Sequence, residues 1–289
     1  MEEVMGMVVE RARERKGVVF QRGKARRLLV RTAGDDVKGK RKVTGAELED
    51  GTQLLADLTI LAAGAWSGAL LDLRGRAEAR GQVVAYVPIS PSEKEALAKV
   101  PVLLNLSTGM FIIPPVYDPV ARSWVTKVAR HSYGYGNPTT VISPGGERIT
   151  TSLPAAQFSP IPPEGEKACR DFLRSSVPWL GSRAFSSTRI CWYTDTPTGD
   201  FLIDYHPQYE GLFLATGGSG HGFKFLPVLG DKIVAAVERR LEEELAGLWR
   251  WRESMEGFEG TEDGSRGRGG RMDLEVAWKE GERSGRSKL

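Results

Sequence analysis

Apolar and polar positions change period several times along the chain. Glu3 to Lys16 carries a helical pattern closed by Gly17, after which Val18, Val19 and Phe20 read as the start of a strand. Ala25 to Thr32 and Lys42 to Glu49 alternate as a strand pair, with Gly34, Asp35, Asp36 and Gly39 in the loop between them. A turn at Asp50 and Gly51 leads to an apolar strand over Leu58 to Ala62, expected to be buried. It runs into Ala63-Gly64-Ala65-Trp66-Ser67, whose small residues allow close approach of a ligand or a helix.

From Arg74 to about Arg183 the texture is different. The β-prone runs Gln82 to Pro88, Gly109 to Pro115 and Ser123 to Arg130 alternate with loops rich in Pro and Gly, and Glu166 to Ser175 reads as a helix. The earlier style then returns. Gly211 to Thr216 is an apolar strand, followed by Gly217-Gly218-Ser219-Gly220-His221-Gly222 and a helix. That helix is expected to start near Gly230 and Asp231 and to carry one stripe through Ile233, Val234, Val237, Leu241 and Leu245. This pattern divides the chain into 1–73, an inserted sheet layer over 74–187, a returning part over 188–250, and a mostly flexible tail over 251–289.

Composition narrows the function classes. Hydrophobic residues at 40% and charged residues at 27% are ordinary for a folded protein. Forty Lys plus Arg against 37 Asp plus Glu leave a net charge of +3, with the basic residues scattered, so nucleic acid is not an expected partner. The longest apolar run, Leu58 to Leu71, is broken by Gly64, Ser67 and Gly68 and falls short of the roughly 20 residues of a membrane span. Two cysteines, Cys169 and Cys191, make no disulfide framework; they fit a reducing compartment, or one cysteine with a chemical task. The last residues, Ser287, Lys288 and Leu289, form the tripeptide read by the peroxisomal import receptor. They follow the Gly- and Arg-rich stretch Gly264 to Arg271 and the polar run Glu280 to Arg286, a context suited to a receptor-read address.

Candidate chemistry centres on the strand, Gly-rich turn and helix from Gly211 onward, the arrangement by which α/β folds offer backbone N–H groups to a phosphate or a flavin. The turn is not a G-x-G-x-x-G fingerprint, because Ser219 stands at the second glycine. Taken with its neighbours it says more. Cys191-Trp192-Tyr193-Thr194-Asp195-Thr196-Pro197, then Asp200 to Pro207, then Gly217-Gly218-Ser219-Gly220-His221-Gly222-Phe223-Lys224-Phe225 resemble the sarcosine oxidase group of flavoprotein amine oxidases. That group includes pipecolate, saccharopine and fructosyl amino acid oxidases, within the D-amino acid oxidase superfamily. Leu61 to Ser67 is similar to its second flavin-proximal segment, and the resemblance runs from about Met1 to Ala246.

The resemblance implies a mixed α/β fold: a glutathione-reductase-like FAD-binding domain with an inserted mixed or antiparallel sheet for substrate. It implies FAD, attached covalently through Cys191 in a complete form, since a thiolate is a strong nucleophile. It implies that Ala63, Gly64 and Trp66 lie near the flavin, and that Gly218, Ser219, Gly220, His221, Gly222, Phe223 and Lys224 lie along it. Lys127, in Trp124 to His131, matches the lysine that promotes reaction with oxygen, and alternation puts it on one face with Val125 and Ala129. His131 would line the same pocket, and Lys224 would pair with a substrate carboxylate.

The implied activity is oxidation of the C–N bond of a secondary or N-substituted amino acid, with O2 giving an imine and H2O2 in the peroxisome. Members of the group open with a strand, a G-x-G-x-x-G turn and a helix that grip the ADP half of FAD, and no complete fingerprint occurs here. Two further readings therefore stand beside the oxidase. One is a shortened, cofactor-free homologue that is inactive or binds without turnover; the other is a flavin-linked dehydrogenase using another electron acceptor.

Overall fold

A computed structural model describes residues 2–32, 41–155, 160–255 and 272–286 of the chain. The Gly34 to Gly39 loop, the Gly264 to Arg271 stretch and the Ser287-Lys288-Leu289 tripeptide lie outside the described residues.

The first part opens with helix α1 (Glu2–Arg13). Val18 to Phe20 do not form a strand: they are exposed and pair with no strand among the described residues. Strands β1 (Ala25–Thr32) and β2 (Arg41–Leu48) are antiparallel as their alternation implies, and β3 (Gln53–Leu55) pairs back on β2 after a turn in which the Thr52 N–H donates to the Asp50 carboxylate at 2.9 Å. Strand β4 (Thr59–Leu61) is shorter than the apolar run suggests. Leu61 is buried but Ile60 is 47% exposed. The reason is that β4 is hydrogen-bonded on one side only among the described residues. A 3-10 turn (Gly64–Trp66) and the short helix α2 (Ser67–Leu70) close this part.

The middle part is built on β5 (Glu78–Ile89), a 12-residue strand that is buried along most of its length. After it come α3 (Pro91–Leu97), capped by Ser90 and Glu93 in a reciprocal capping box, and the strands β6 (Leu103–Asn105), β7 (Met110–Asp118), β8 (Ser123–Arg130) and β9 (Tyr135–Gly136). A separate hairpin joins β10 (Pro138–Ile142) to β11 (Arg148–Ser152). Helix α4 (Pro163–Ser176) starts three residues earlier than its apolar period suggests, with Pro163 at a first-turn position that needs no donor. Strand β12 (Ser187–Asp195) then pairs antiparallel with β5 along its whole length, while β8 flanks β5 on the other side. One face of this sheet packs Val83, Ala85, Val87 and Val128 against Cys169, Phe172 and Leu173 of α4, forming the largest core.

The last part returns to the first. Strands β13 (Leu202–Tyr205), β14 (Tyr209–Glu210) and β15 (Leu212–Thr216) follow; β14 adds parallel to β2, and β15 lies parallel to β4 and antiparallel to β13. Helix α5 (Leu226–Val237) begins four residues before Gly230, and it stops well short of Leu241. Arg239 adopts φ +58°, which no helix interior accommodates, so Leu241 and Leu245 reach the same core from the flank of a second helix, α6 (Glu243–Trp249). Regular structure continues within the 251–289 segment, where a mostly flexible tail is expected from sequence. Strand β16 (Met272–Asp273) pairs with β9, and helix α7 (Leu274–Arg286) packs on α4. Leu274 is fully buried there, and the Trp278 indole N–H donates to the Pro160 carbonyl at 3.0 Å. Among the described residues no helix is long and apolar enough to cross a membrane.

Candidate active site

Strand register decides which side chains share a face. Tyr86 of β5 lies opposite Lys127 of β8, Val84 lies between Ala129 and Arg189 of β12, and Gln82 lies opposite Cys191. Directly opposed residues project to the same side of a sheet. Lys127, Tyr86, Arg189, Gln82 and Cys191 therefore share one face, and the α4 core occupies the other. Val125 and Ala129 stand on the Lys127 face, as alternation in the sequence implies.

Lys127 is half-buried, with its ammonium 5.4 Å from the centre of the Phe111 ring. Burial pulls its pKa below the ordinary lysine value; the Cys191 sulfur opposes this shift and the positive charge of Arg189 adds to it. The two cysteines are unlike one another. Cys169 is fully buried in the core, and burial pushes its thiol up to about 12, which keeps it inert. Cys191 is a half-buried free thiol on the Lys127 face.

The Gly-rich turn after β15 is bound tightly to β12. Its backbone takes positive φ at Gly217, Ser219 and Gly220. Ser219, the one residue there that pays for this conformation with a Cβ, is anchored: its N–H donates to the Thr194 carbonyl at 2.9 Å, and its hydroxyl donates to the Gly217 carbonyl at 3.1 Å. Its side chain is thus turned into the protein and buried.

Gly220 marks a close approach. A Cβ there would lie 2.8 Å from His131 Cε1 and 2.8 Å from Tyr193 Cε2, so no larger residue fits without movement. His131 follows directly on β8, its ring centre 5.7 Å from that of Tyr193. It is held by its N–H to the Gly109 carbonyl at 2.7 Å. Gln82 secures the next residue: its amide donates to the Ser132 carbonyl at 2.8 Å and its oxygen accepts from the Ser132 N–H at 3.1 Å.

The second segment meets the same turn. Gly64 takes φ +53° and faces the Thr194 hydroxyl, and the Ser67 and Thr216 hydroxyls are 3.2 Å apart, tying α2 to the end of β15. Gly64, Tyr193, Gly218, Gly220, Gly222 and Phe223 line a groove of about 400 Å³. The structure thus brings Gly64, Gly218, Gly220, Gly222 and Phe223 to one groove, with His131 against Gly220, and places Lys127 and Cys191 together on one sheet face. Others stand apart: Ala63 is half-buried against the second core, and Trp66 and Lys224 are exposed, with the Lys224 ammonium 5.0 Å from the Phe225 ring centre. Tyr86, Gln82 and Arg189 escaped notice, because only the pairing of β5 with β8 and β12 shows that they share a face with Lys127 and Cys191.

These features fit a flavin ring. His221 Nε2 lies 2.7 Å from the Gly199 carbonyl oxygen, while its Nδ1 is buried with no hydrogen-bond partner among the described residues. A buried ring nitrogen of that kind calls for a polar partner that the described side chains do not supply. A Cβ at Gly218 would meet nothing within 4 Å, so that wall of the groove is open to a flat ligand. Among the described residues no cluster of acidic, His or Cys side chains could hold a metal ion.

Comparison with known proteins agrees with this geometry. Residues 2–236 match the family model described as FAD dependent oxidoreductase (DAO). The chain is 32% identical over 241 residues to L-saccharopine oxidase of Schizosaccharomyces pombe, covering 82% of this chain and 54% of that protein. It is 36% identical over 224 residues to the amino acid oxidase imqH of Aspergillus flavus, covering 70% of this chain and 47% of that protein. A crystal structure of a modified fructosyl peptide oxidase from Aspergillus nidulans superposes with a TM-score of 0.79 at 28% identity, over 94% of this chain and 61% of that one. The chain spans about half the length of the curated relatives it matches. With the family model covering most of the sequence and the fold shared with these flavoenzymes, the chain belongs to the FAD dependent oxidoreductase family.

Proposed function

We propose that the protein to which this chain belongs oxidises the C–N bond of a secondary or N-substituted amino acid. The products are an imine, which water hydrolyses, and H2O2 from O2. The observation that carries this reading is that strand register sets Lys127 and the free thiol of Cys191 on one sheet face, while Tyr193 of the same strand packs on the turn from Gly217 to Gly222. FAD, when bound, supplies the redox chemistry by taking a hydride from substrate and passing two electrons to oxygen.

The residues of this chain supply the rest. Cys191 holds the flavin covalently, and Gly64, Gly218, Gly220, Gly222 and Phe223 give its ring a close-fitting wall. The Lys127 ammonium, in a half-buried setting, stabilises negative charge as oxygen is reduced. His131 and Tyr193 bound the space between that lysine and the turn. Lys224, exposed beside Phe225, receives the substrate carboxylate. Import through Ser287-Lys288-Leu289 would bring the peroxide to the peroxisome.

The test needs no knowledge of the substrate. Protein loaded with FAD is reduced chemically without air and then mixed with oxygenated buffer, in the original form and as Lys127→Met. The expected result is reoxidation slower by about a hundred-fold or more in the variant, the size of effect that removal of one preorganised charge-stabilising group produces. Equal reoxidation rates would remove Lys127 from the reaction, and slow reoxidation in both forms would make a dehydrogenase using another acceptor the better reading. A panel of sarcosine, pipecolate, saccharopine and a fructosyl amino acid, followed by peroxide release, then identifies the substrate.

A further inference from the structure

The Lys127 face of the sheet holds a second cation that the reaction above does not use. Arg189 lies two residues from Cys191 on β12, with Tyr86 between it and Lys127. Its guanidinium donates to the Tyr86 hydroxyl at 2.8 Å and lies 5.5 Å from the Tyr86 ring centre, so it is held in place while remaining exposed. Among the described residues Arg189 makes no ion pair. The carboxylate that acts on its partner Tyr86, Asp118, already accepts the Val120 N–H at 2.9 Å and the Ala121 N–H at 3.1 Å.

Direction matters here. The Gly-rich turn meets β12 at Tyr193 and Thr194, so passing from there through Cys191 to Arg189 moves away from the turn. At about 3.3 Å per residue, Arg189 begins roughly 7 Å beyond Cys191, and two strand spacings put it on the order of 10 Å from Lys127. We propose that Arg189, positioned by Tyr86, binds a second carboxylate at the far end of the substrate, remote from the reacting C–N bond. The substrate class is then an amino acid whose N-substituent ends in a carboxylate. A planar guanidinium fork matches a carboxylate bidentately, whereas a neutral polyol would leave that charge unmatched. This inference rests on the function proposed above and narrows its substrate.

The test is isothermal titration of the purified chain with two probes of equal length, N-(carboxybutyl)glycine and N-pentylglycine. Each is titrated into the original protein and into Arg189→Met, Arg189→Lys and Tyr86→Phe, with thermal unfolding to verify that the variants fold. The expected result is a preference for the dicarboxylate of about ten- to a hundred-fold. That preference is lost in Arg189→Met with N-pentylglycine affinity unchanged, and partly kept in Arg189→Lys and Tyr86→Phe. Equal binding of the two probes by the original protein, or a preference that survives Arg189→Met, would overturn the inference. The titration does not depend on flavin. A chain that takes up no FAD but keeps an Arg189-dependent preference would therefore count against the oxidase for this chain and leave this carboxylate site standing.

Discussion

Replacing Gly220 with alanine tests the packing on which the site depends. Gly220 has φ +74°, a conformation that costs a residue bearing a Cβ about 1–2 kcal/mol. The new methyl would sit 2.8 Å from both the His131 and the Tyr193 rings. Neither ring can retreat freely: Tyr193 is on β12 and paired with Arg80 of β5, and the backbone of His131 is bonded to Gly109. Forcing such a contact costs a further 1–3 kcal/mol or so. The sum, about 2–5 kcal/mol, lowers the melting temperature by roughly 3–8 °C in a chain of this size. Gly218→Ala is the matched control. No atom lies within 4 Å of its Cβ position, and its backbone is outside the left-handed region, so stability changes by no more than about 0.5 kcal/mol. That methyl instead projects toward the groove, and retention of FAD is expected to fall while the melting temperature holds. Thermal unfolding of both variants, with flavin absorbance after gel filtration, reads both effects. Equal melting temperatures for Gly220→Ala and the original protein would refute the packing of the turn against His131 and Tyr193.

Three further outcomes follow from other parts of the structure. His206 is 5% exposed between Tyr209 and Trp251; burial first, and then Arg74 and Arg76, lower its pKa to about 4. Between that value and its ordinary 6.5 the unfolded chain binds a proton that the folded chain does not, so stability is lost as pH falls through this window, by up to about 3 kcal/mol. Urea unfolding at several pH values is expected to show that limb, and His206→Asn to flatten it; an unchanged slope in the variant would assign the acid loss elsewhere. Glu164, half exposed at the margin of the core behind the sheet, accepts from the buried Arg130 and from the buried Tyr135 hydroxyl. Glu164→Gln leaves the Arg130 charge buried with a weaker partner and is expected to cost about 1–3 kcal/mol in denaturant unfolding, with flavin uptake unchanged because the site is on the opposite face. Cys169→Ser is expected to destabilise the chain yet leave covalent flavin intact, which a spectrum of the acid-precipitated protein would show.

Strands whose two faces differ were legible from sequence. Val125, Lys127 and Ala129 share a face as their alternation requires, and Ala25 to Thr32 pairs with its neighbour as read. What failed depended on distant partners. Ile60 looks like a core residue until β4 is placed at the edge of its sheet, and the stripe from Ile233 to Leu245 reads as one helix until Arg239 turns the chain. Leu274 and Trp278 sit in a polar tail by composition, and only their contacts with α4 and Pro160 show why a helix forms there. The same divide runs through the site. Cys191, Lys127 and the turn at Gly217 stand out locally, but the approach of His131 to Gly220 and the alignment of Arg189, Tyr86 and Lys127 are products of strand register. Gln82, buried at the head of the apolar run Val83 to Ala85, is a local signal of a polar clamp on this face.

The central claim is that Cys191 and the adjoining groove hold a flavin. The most direct measurement is peptide mass mapping of the protein after incubation with FAD, denaturation and proteolysis. The expected result is one peptide, spanning Cys191, that carries the mass of the flavin and its visible absorbance, and neither in Cys191→Ser. Flavin on the Cys169 peptide, or covalent flavin that persists in Cys191→Ser, would contradict the account.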